Sequence, residues 1–347
     1  MKNLYCLNQI KRSAIAMSIL GSSAFAGQGA APTEAFIIEG SAFFGAPGIE
    51  LGVVGKVSLA DPSITSILST SAVDLRFGGA DIRPGSSDLI GFENTTNALR
   101  ILDTVNGGNT LIDSIGYMAS GVAGMSYSND GAIAYVTTTV GGFARIVEAD
   151  ANTGAVLEVH NLFNLSLSSL ATVPDGHPTL NPGDLYGLGL TGTSSLKLMH
   201  IDLTTNSIVS QKSILGIGFT PQFETGLDWT SDGDLYGIIQ GFDETSPGVF
   251  VEVSSHLYTI DPASGNANDL GVIQSHQTWD AVTLVIDDGI AACKPDLTGD
   301  GTLDFFDISA FLTAFGTQDP VADFTGDRVF DFFDISVFLS VFGAGCP

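Results

Sequence analysis

Two stretches near the C-terminus place oxygen-bearing side chains at short, regular intervals around a tight turn. Residues 296–307 read DLTGDGTLDFFD, and residues 323–334 read DFTGDRVFDFFD, an offset of 27. Counted from Asp296, carboxylates or hydroxyls fall at positions 1 (Asp296), 3 (Thr298), 5 (Asp300), 9 (Asp304) and 12 (Asp307). Gly301 takes position 6 and the backbone carbonyl of Thr302 position 7. The second stretch supplies Asp323, Thr325, Asp327, the Val329 carbonyl, Asp331 and Asp334. Calcium takes roughly six to eight oxygens on such a twelve-residue loop, so the spacing predicts two calcium ions. In the second loop Arg328 occupies position 6, where the turn favours a positive φ that costs a non-glycine residue ~1 kcal/mol or more. The first site is therefore expected to bind more tightly.

The elements that must hold these loops follow directly. After each comes an apolar helix pattern, DISAFLTAFG and DISVFLSVFG. Ile308, Phe311, Leu312 and Phe315 fall at i, i+3, i+4 and i+7, as do Ile335, Phe338, Leu339 and Phe342, one apolar face per helix. Gly316 and Gly343 are expected to end the helices as C-terminal caps.

A duplicated calcium loop with no helix before it, at a C-terminus, resembles a type I dockerin, and Cys293 with the terminal GCP resembles the GC-type variant. The likeness covers 293–347. It implies that the residues named above are the ligands, with Thr298 and Thr325 standing where dockerins usually carry Asn. Position 12 is Asp in both loops, and a calcium-built fold is expected rather than a calcium switch. The resemblance also implies that positions 10 and 11, Phe305-Phe306 and Phe332-Phe333, contact a cohesin-like protein or cell-surface anchor. Packing of these four rings into the module core or against the rest of the chain is the alternative.

The N-terminus carries Lys2, Lys11 and Arg12, then an apolar run, then Ala24-Phe25-Ala26, the pattern of a secretory signal peptide over 1–26. The expected location is extracellular, in association with a cell surface, and no later apolar run is long enough to span a membrane. Removing three of twelve basic residues and no acidic one takes the net charge from −26 to −29. Such a chain repels nucleic acid and favours divalent cations. In an oxidising compartment Cys293 and Cys346 most simply pair with each other; two free thiols are the alternative.

Residues 33–290 are rich in Gly, Ser, Thr, Val, Ile and Leu, an all-β composition. An apolar strand, an Asp and a tight turn recur at Asp61, Asp103, Asp150, Asp202 and Asp261. A second phrase recurs as GMSYSNDGAIAYV (124–136) and GLDWTSDGDLYGI (226–238). Five units of four strands account for every copy, which predicts a five-bladed β-propeller, with a sandwich as the rival. The first unit lacks its inner strand, because AFIIEG (35–40) matches the second position, so TWDAVTLVI (278–286) is expected to supply it and close the ring.

No metalloprotease helix, nucleophile elbow, phosphate loop or dinucleotide fingerprint is present. The five histidines (160, 177, 200, 256 and 276) form no metal-ligand spacing. A propeller site is expected at the channel mouth, among Asp74, Glu224, Asp228, Trp229, His276, Trp279 and Asp280. Glu224, Asp228 and Asp280 are the candidate catalytic carboxylates, since glycoside hydrolysis needs two carboxyls across the bond. The expectation is a non-catalytic binding or display propeller, for a carbohydrate or protein ligand, tethered by the calcium module over 291–347. A polysaccharide-degrading hydrolase or lyase is the alternative.

Overall fold

A computed structural model of the chain describes residues 34–39, 53–62, 64–69, 77–84, 86, 88–103, 108–116, 124–140, 143–163, 165–191, 195–246, 249–273, 281–287, 295–298, 303–318, 320–322, 324 and 329–344. The signal-peptide pattern, Asp74, His276, Trp279, Asp280, Cys293, Asp300, Thr302, Asp323, Thr325, Asp327 and Cys346 lie outside the described residues, as does the side chain of Glu224.

The β region forms five four-stranded antiparallel sheets. The first, blade I, holds β1 (Glu34–Glu39), β2 (Val53–Ser58) and β3 (Ile64–Ser69). Blade II is β4 (Phe77–Ile82), β5 (Leu89–Glu93), β6 (Ala98–Leu102) and β7 (Asn109–Ser114). Blade III is β8 (Met125–Tyr127), β9 (Ile133–Val140), β10 (Phe143–Asp150) and β11 (Val156–Leu162). Blade IV is β12 (Ser166–Thr172), β13 (Leu185–Thr191), β14 (Ser195–Asp202) and β15 (Ser207–Ser213). Blade V is β16 (Thr220–Trp229), β17 (Leu235–Ser246), β18 (Val249–Ile260) and β19 (Ala267–Val272). The last strand, β20 (Ala281–Asp287), pairs antiparallel with β1, Ala35 opposite Ile286 and Ile37 opposite Leu284. It is the inner strand of blade I, so a strand from the far end of the domain completes the first sheet. The inner strands neighbour one another in the cyclic order β20, β4, β8, β12, β16, and the fold is a five-bladed β-propeller.

Both faces of β1 are buried, which explains why AFIIE reads as a continuous apolar run rather than an alternation. Ala35 and Ile37 point to blade V, joining Val57, Ile238, Leu257 and Leu284. Their neighbours Phe36 and Ile38 point to blade II, joining Val54, Phe77, Leu89 and Leu102. Equivalent clusters fill the other three interfaces, around Phe92 and Tyr127, around Ile146 and Leu167, and around Leu188 and Trp229. Each fully buried Ile or Leu contributes about 1.5–3 kcal/mol of transfer free energy.

In blades III, IV and V the recurring Asp closes the hairpin between the third and fourth strands. Asp150 Oδ1 accepts from Asn152 N at 3.0 Å and Thr153 N at 2.9 Å, and Asp202 Oδ1 from Thr204 N at 2.8 Å. Asp261 Oδ1 accepts from Ala263 N at 2.9 Å. These turns also dock on the preceding blade. Leu215 N, just past β15, donates to Gly265 O at 3.0 Å, and Asn206 reaches His160 on β11. The Asp phrase thus carries inter-blade register as well as hairpin chemistry.

The C-terminal region holds two helices, α1 (Phe305–Thr317) and α2 (Phe332–Ala344), with a single 3-10 turn at Pro320–Ala322 between them. Phe311 and Phe338, each 1% exposed, stack at 4.0 Å between ring centres and 2° between planes. Phe324 meets both rings edge-on, at 5.5 and 5.2 Å. Three phenylalanines and Ala322 make the centre of this small core.

Candidate functional site

The two helix starts are built alike, residue for residue, at the 27-residue offset. Asp304 caps α1, its Oδ1 accepting from Phe306 N at 2.7 Å, and Asp331 does the same for Phe333 N at 2.7 Å. Asp307 Oδ2 accepts from Asp304 N at 2.9 Å, and Asp334 Oδ2 from Asp331 N at 2.9 Å, completing a reciprocal capping box. In the first loop Asp307 Oδ1 also accepts from Thr298 N at 3.0 Å and Thr298 Oγ1 at 2.9 Å, while Thr298 Oγ1 lies 3.2 Å from Asp296 Oδ1. Positions 1, 3, 9 and 12 of the first loop therefore converge on one another.

Asp307 and Asp334 have no exposed surface. Burial pushes the Asp307 carboxyl up, but the hydrogen bonds from Asp304 and Thr298 outweigh it and hold the group below the ordinary value, so it is ionised at neutral pH. Residues 291–347 contain nine aspartates against Lys294 and Arg328. The all-oxygen donor set of carboxylate, hydroxyl and carbonyl would suit a hard cation. Asp296, Thr298, Asp304 and Asp307 would hold it in the first loop. The Val329 carbonyl, Asp331 and Asp334 are the described members of the second.

The four doubled phenylalanines lie outside the core. Phe305, Phe306, Phe332 and Phe333 are 73%, 65%, 72% and 67% exposed, so packing into the module core is ruled out. Two further expectations need correction. Leu312 and Leu339, placed by periodicity on the apolar face, are more than half exposed. The helices meet through stacked Phe311 and Phe338, which centres the contact on Ile308, Phe311 and Phe315 and turns Leu312 outward. Gly316 does not cap α1, and Gly343 lies within α2. The first helix runs on to Thr317, and Gln318 caps it at φ 57°, its N–H reaching the carbonyls of Ala314 and Phe315.

In the propeller, the inner strands close on small residues. Gly78 to Ala80, Gly124, Ser168, Ser169, Thr225 and Gly226 surround a central cavity of ≈ 10 Å³, room for about one water. A Cβ on Gly124 would collide with the backbone of Ser169, so the close approach of β8 and β12 requires glycine there. Hydroxyls knit blades IV and V together, with Thr225 Oγ1 at 2.5 Å from Ser168 Oγ and 3.1 Å from Ser169 Oγ.

Asp228 and Trp229 occupy the last two positions of β16, away from the strand starts where the mouth residues were expected. Asp228 Oδ2 accepts from Ile286 N at 2.7 Å and its Oδ1 from Trp229 N at 2.8 Å, which makes it a clasp between blades V and I. Asp81 does the same between blades II and III, accepting from Tyr127 N at 2.9 Å, and Ser126 accepts from Thr172 N at 3.1 Å between III and IV. Trp229 is buried, with the rings of His177 and Tyr186 edge-on at 5.1 and 5.7 Å, and cannot serve as a sugar platform. The structure places the Asp228–Trp229 pair in contacts between blades.

Three of the described histidines, His160, His200 and His256, are paired with carboxylates. His200 lies 3.2 Å from Asp184 and His256 2.9 Å from Asp269. His160 comes together with Glu148 and Glu158, a ligand-type trio that residue spacing conceals because strand pairing assembles it.

No protein-family model and no curated protein matches the chain. Among solved structures it is similar to the periplasmic gluconolactonase of Pseudomonas aeruginosa, at 14% identity over 71% of this chain and 85% of that one, with a TM-score of 0.40. It is also similar to Kuenenia stuttgartiensis hydrazine synthase, at 17% identity and a TM-score of 0.38, and to TolB from Acinetobacter baumannii, at 15% identity and 0.39. The matches cover 62% and 69% of this chain, and 59% and 52% of those two. At these values the likenesses carry no inference about activity, and the propeller assignment rests on the chain's own sheet order.

Proposed function

We propose that the chain is a secreted, non-catalytic β-propeller for binding or display, tethered to a cohesin-like protein or cell-surface anchor by a dockerin-like module built around two calcium ions. The observation that carries this reading is the exposure of Phe305, Phe306, Phe332 and Phe333 at equivalent helix starts, each pair beside a fully buried aspartate. Four large rings held in water cost apolar surface that a partner would cover, and clustered apolar exposure on a small module marks an interaction site. The carboxylates fix the helix starts, so an ion bound there positions the rings. Support for a non-catalytic propeller comes from Asp228 and Trp229, which are spent on blade contacts.

The test is affinity capture with the full chain from a cell-surface extract, in calcium and in chelator, beside a variant with all four phenylalanines changed to Ser. A partner retained only in calcium and lost with the variant is the expected result. Capture indifferent to both refutes the tether. Reducing sugar released from a polysaccharide panel, and abolished by Glu224→Gln or Asp280→Asn, would refute the non-catalytic reading.

A further inference from the structure

Blade III carries on its outer strands a set of ligand-type side chains that neither the calcium loops nor the propeller centre uses. Glu148 on β10 and Glu158 on β11 are direct cross-strand partners, and His160 lies two residues beyond Glu158. Cross-strand partners and i, i+2 neighbours share one face of a sheet. His160 Nε2 is 3.1 Å from Glu148 Oε1, and one ligand atom from each of the three residues lies within 4.8 Å of the others. Two carboxylates directly opposite on antiparallel strands repel each other, so the pair calls for a positive charge.

The other side of the imidazole supplies an independent observation. His160 is only 3% exposed, and its Nδ1 sits 2.7 Å from Oδ1 of Asn206, in the Asp202 hairpin of blade IV. The amide oxygen accepts, so Nδ1 carries a proton, and Nε2 faces the Glu148 oxygen either through a second proton or across a bound cation. A neutral imidazole would aim a lone pair at the carboxylate at that distance, so a positive charge, a proton or a metal ion, is needed between them. Metal-bound histidines are typically held in this way, the second nitrogen donating to an oxygen that fixes the ring. Bonds of about 2.0–2.2 Å to a zinc-type ion place tetrahedral neighbours about 3.4 Å apart, close to the 3.1 Å between His160 Nε2 and Glu148 Oε1.

We propose that Glu148, Glu158 and His160 bind one divalent first-row cation of the zinc class, with Asn206 orienting the imidazole. The mixed nitrogen and oxygen set favours such an ion over calcium, which takes oxygen ligands. The ion would tie the outer strands of blade III to the hairpin of blade IV.

The experiment is calorimetric titration of the full chain with zinc chloride in saturating calcium, which keeps the C-terminal loops filled. The parent is expected to show one zinc site and a higher thermal midpoint of propeller unfolding on zinc addition. Glu158→Gln, whose exposed side chain leaves the core untouched, is expected to lose at least tenfold in zinc affinity and the midpoint shift with it. Asn206→Ala is expected to weaken zinc by about 10–100-fold without removing a ligand. Absence of zinc binding, or equal affinity in the parent and Glu158→Gln, overturns the proposal and leaves His160 as a protonated bridge between Glu148 and Asn206.

Discussion

Replacing Asp307 by Asn separates a helix cap from a calcium ligand. The side chain keeps its shape and one acceptor oxygen but loses its charge and an acceptor for either Asp304 N, on Oδ2, or Thr298 N, on Oδ1. Weakening a capping interaction costs about 1 kcal/mol, and losing a negative charge in the first helical turn about 0.3–1 more. In chelator the module should therefore lose about 1–2 kcal/mol. In calcium it should also lose the linkage energy of the ion, ~2.7 kcal/mol when free calcium stands a hundredfold above the dissociation constant. The two tryptophans, Trp229 and Trp279, precede residue 291, so urea unfolding can be followed by the helical circular-dichroism signal for the module and by fluorescence for the propeller. The expected outcome is a destabilisation roughly 3 kcal/mol larger in calcium than in chelator, with the fluorescence transition unchanged. An equal loss in both buffers would make Asp307 a cap and nothing more.

Asp228→Ala is expected to destabilise the propeller by about 2–3 kcal/mol, because it strips a charged acceptor from the buried amide of Ile286 at the ring closure; an unchanged unfolding midpoint would contradict the clasp. The Thr204 hydroxyl first, and that of Thr205, hold the Asp202 carboxyl down at about 2, and hydrogen bonds likewise lower Asp150 and Asp261. A carboxylate depressed in the folded state stabilises above its unfolded value and loses that contribution as pH falls through the folded one. Propeller stability should thus decline between about pH 4 and pH 2, and Asp202→Asn should flatten the decline; the same pH profile in both proteins would contradict this. Phe311→Ala removes half of the stacked pair and is expected to cost about 3–5 kcal/mol, enough to unfold the module and abolish calcium binding at both loops. Calcium binding retained in that variant would separate the loops from the helical core.

The ring was legible because its grammar is local. A strand, an Asp and a turn recur, and AFIIEG could be matched to the second strand of a blade, which left TWDAVTLVI as the missing first strand of blade I. The two C-terminal helices were legible for the same reason, since each is written in one short apolar stretch. What stayed hidden depends on register and packing between distant segments. Asp228 reads as a carboxylate beside a tryptophan, and only closure of β20 against β16 shows it holding an amide 58 residues away. Glu148 and His160 meet because β10 and β11 pair in one register. Leu312 fits a helical apolar stripe as well as Phe311 does, and the ring stack between the helices decides which of them is covered.

Calorimetric titration of the full chain with calcium tests the proposed tether most directly. Two unequal sites are expected, the first loop the tighter, with Asp300→Ala removing the tighter one. No calcium binding, or binding untouched by Asp300→Ala, would contradict the assignment of the loops and with it the calcium-built tether.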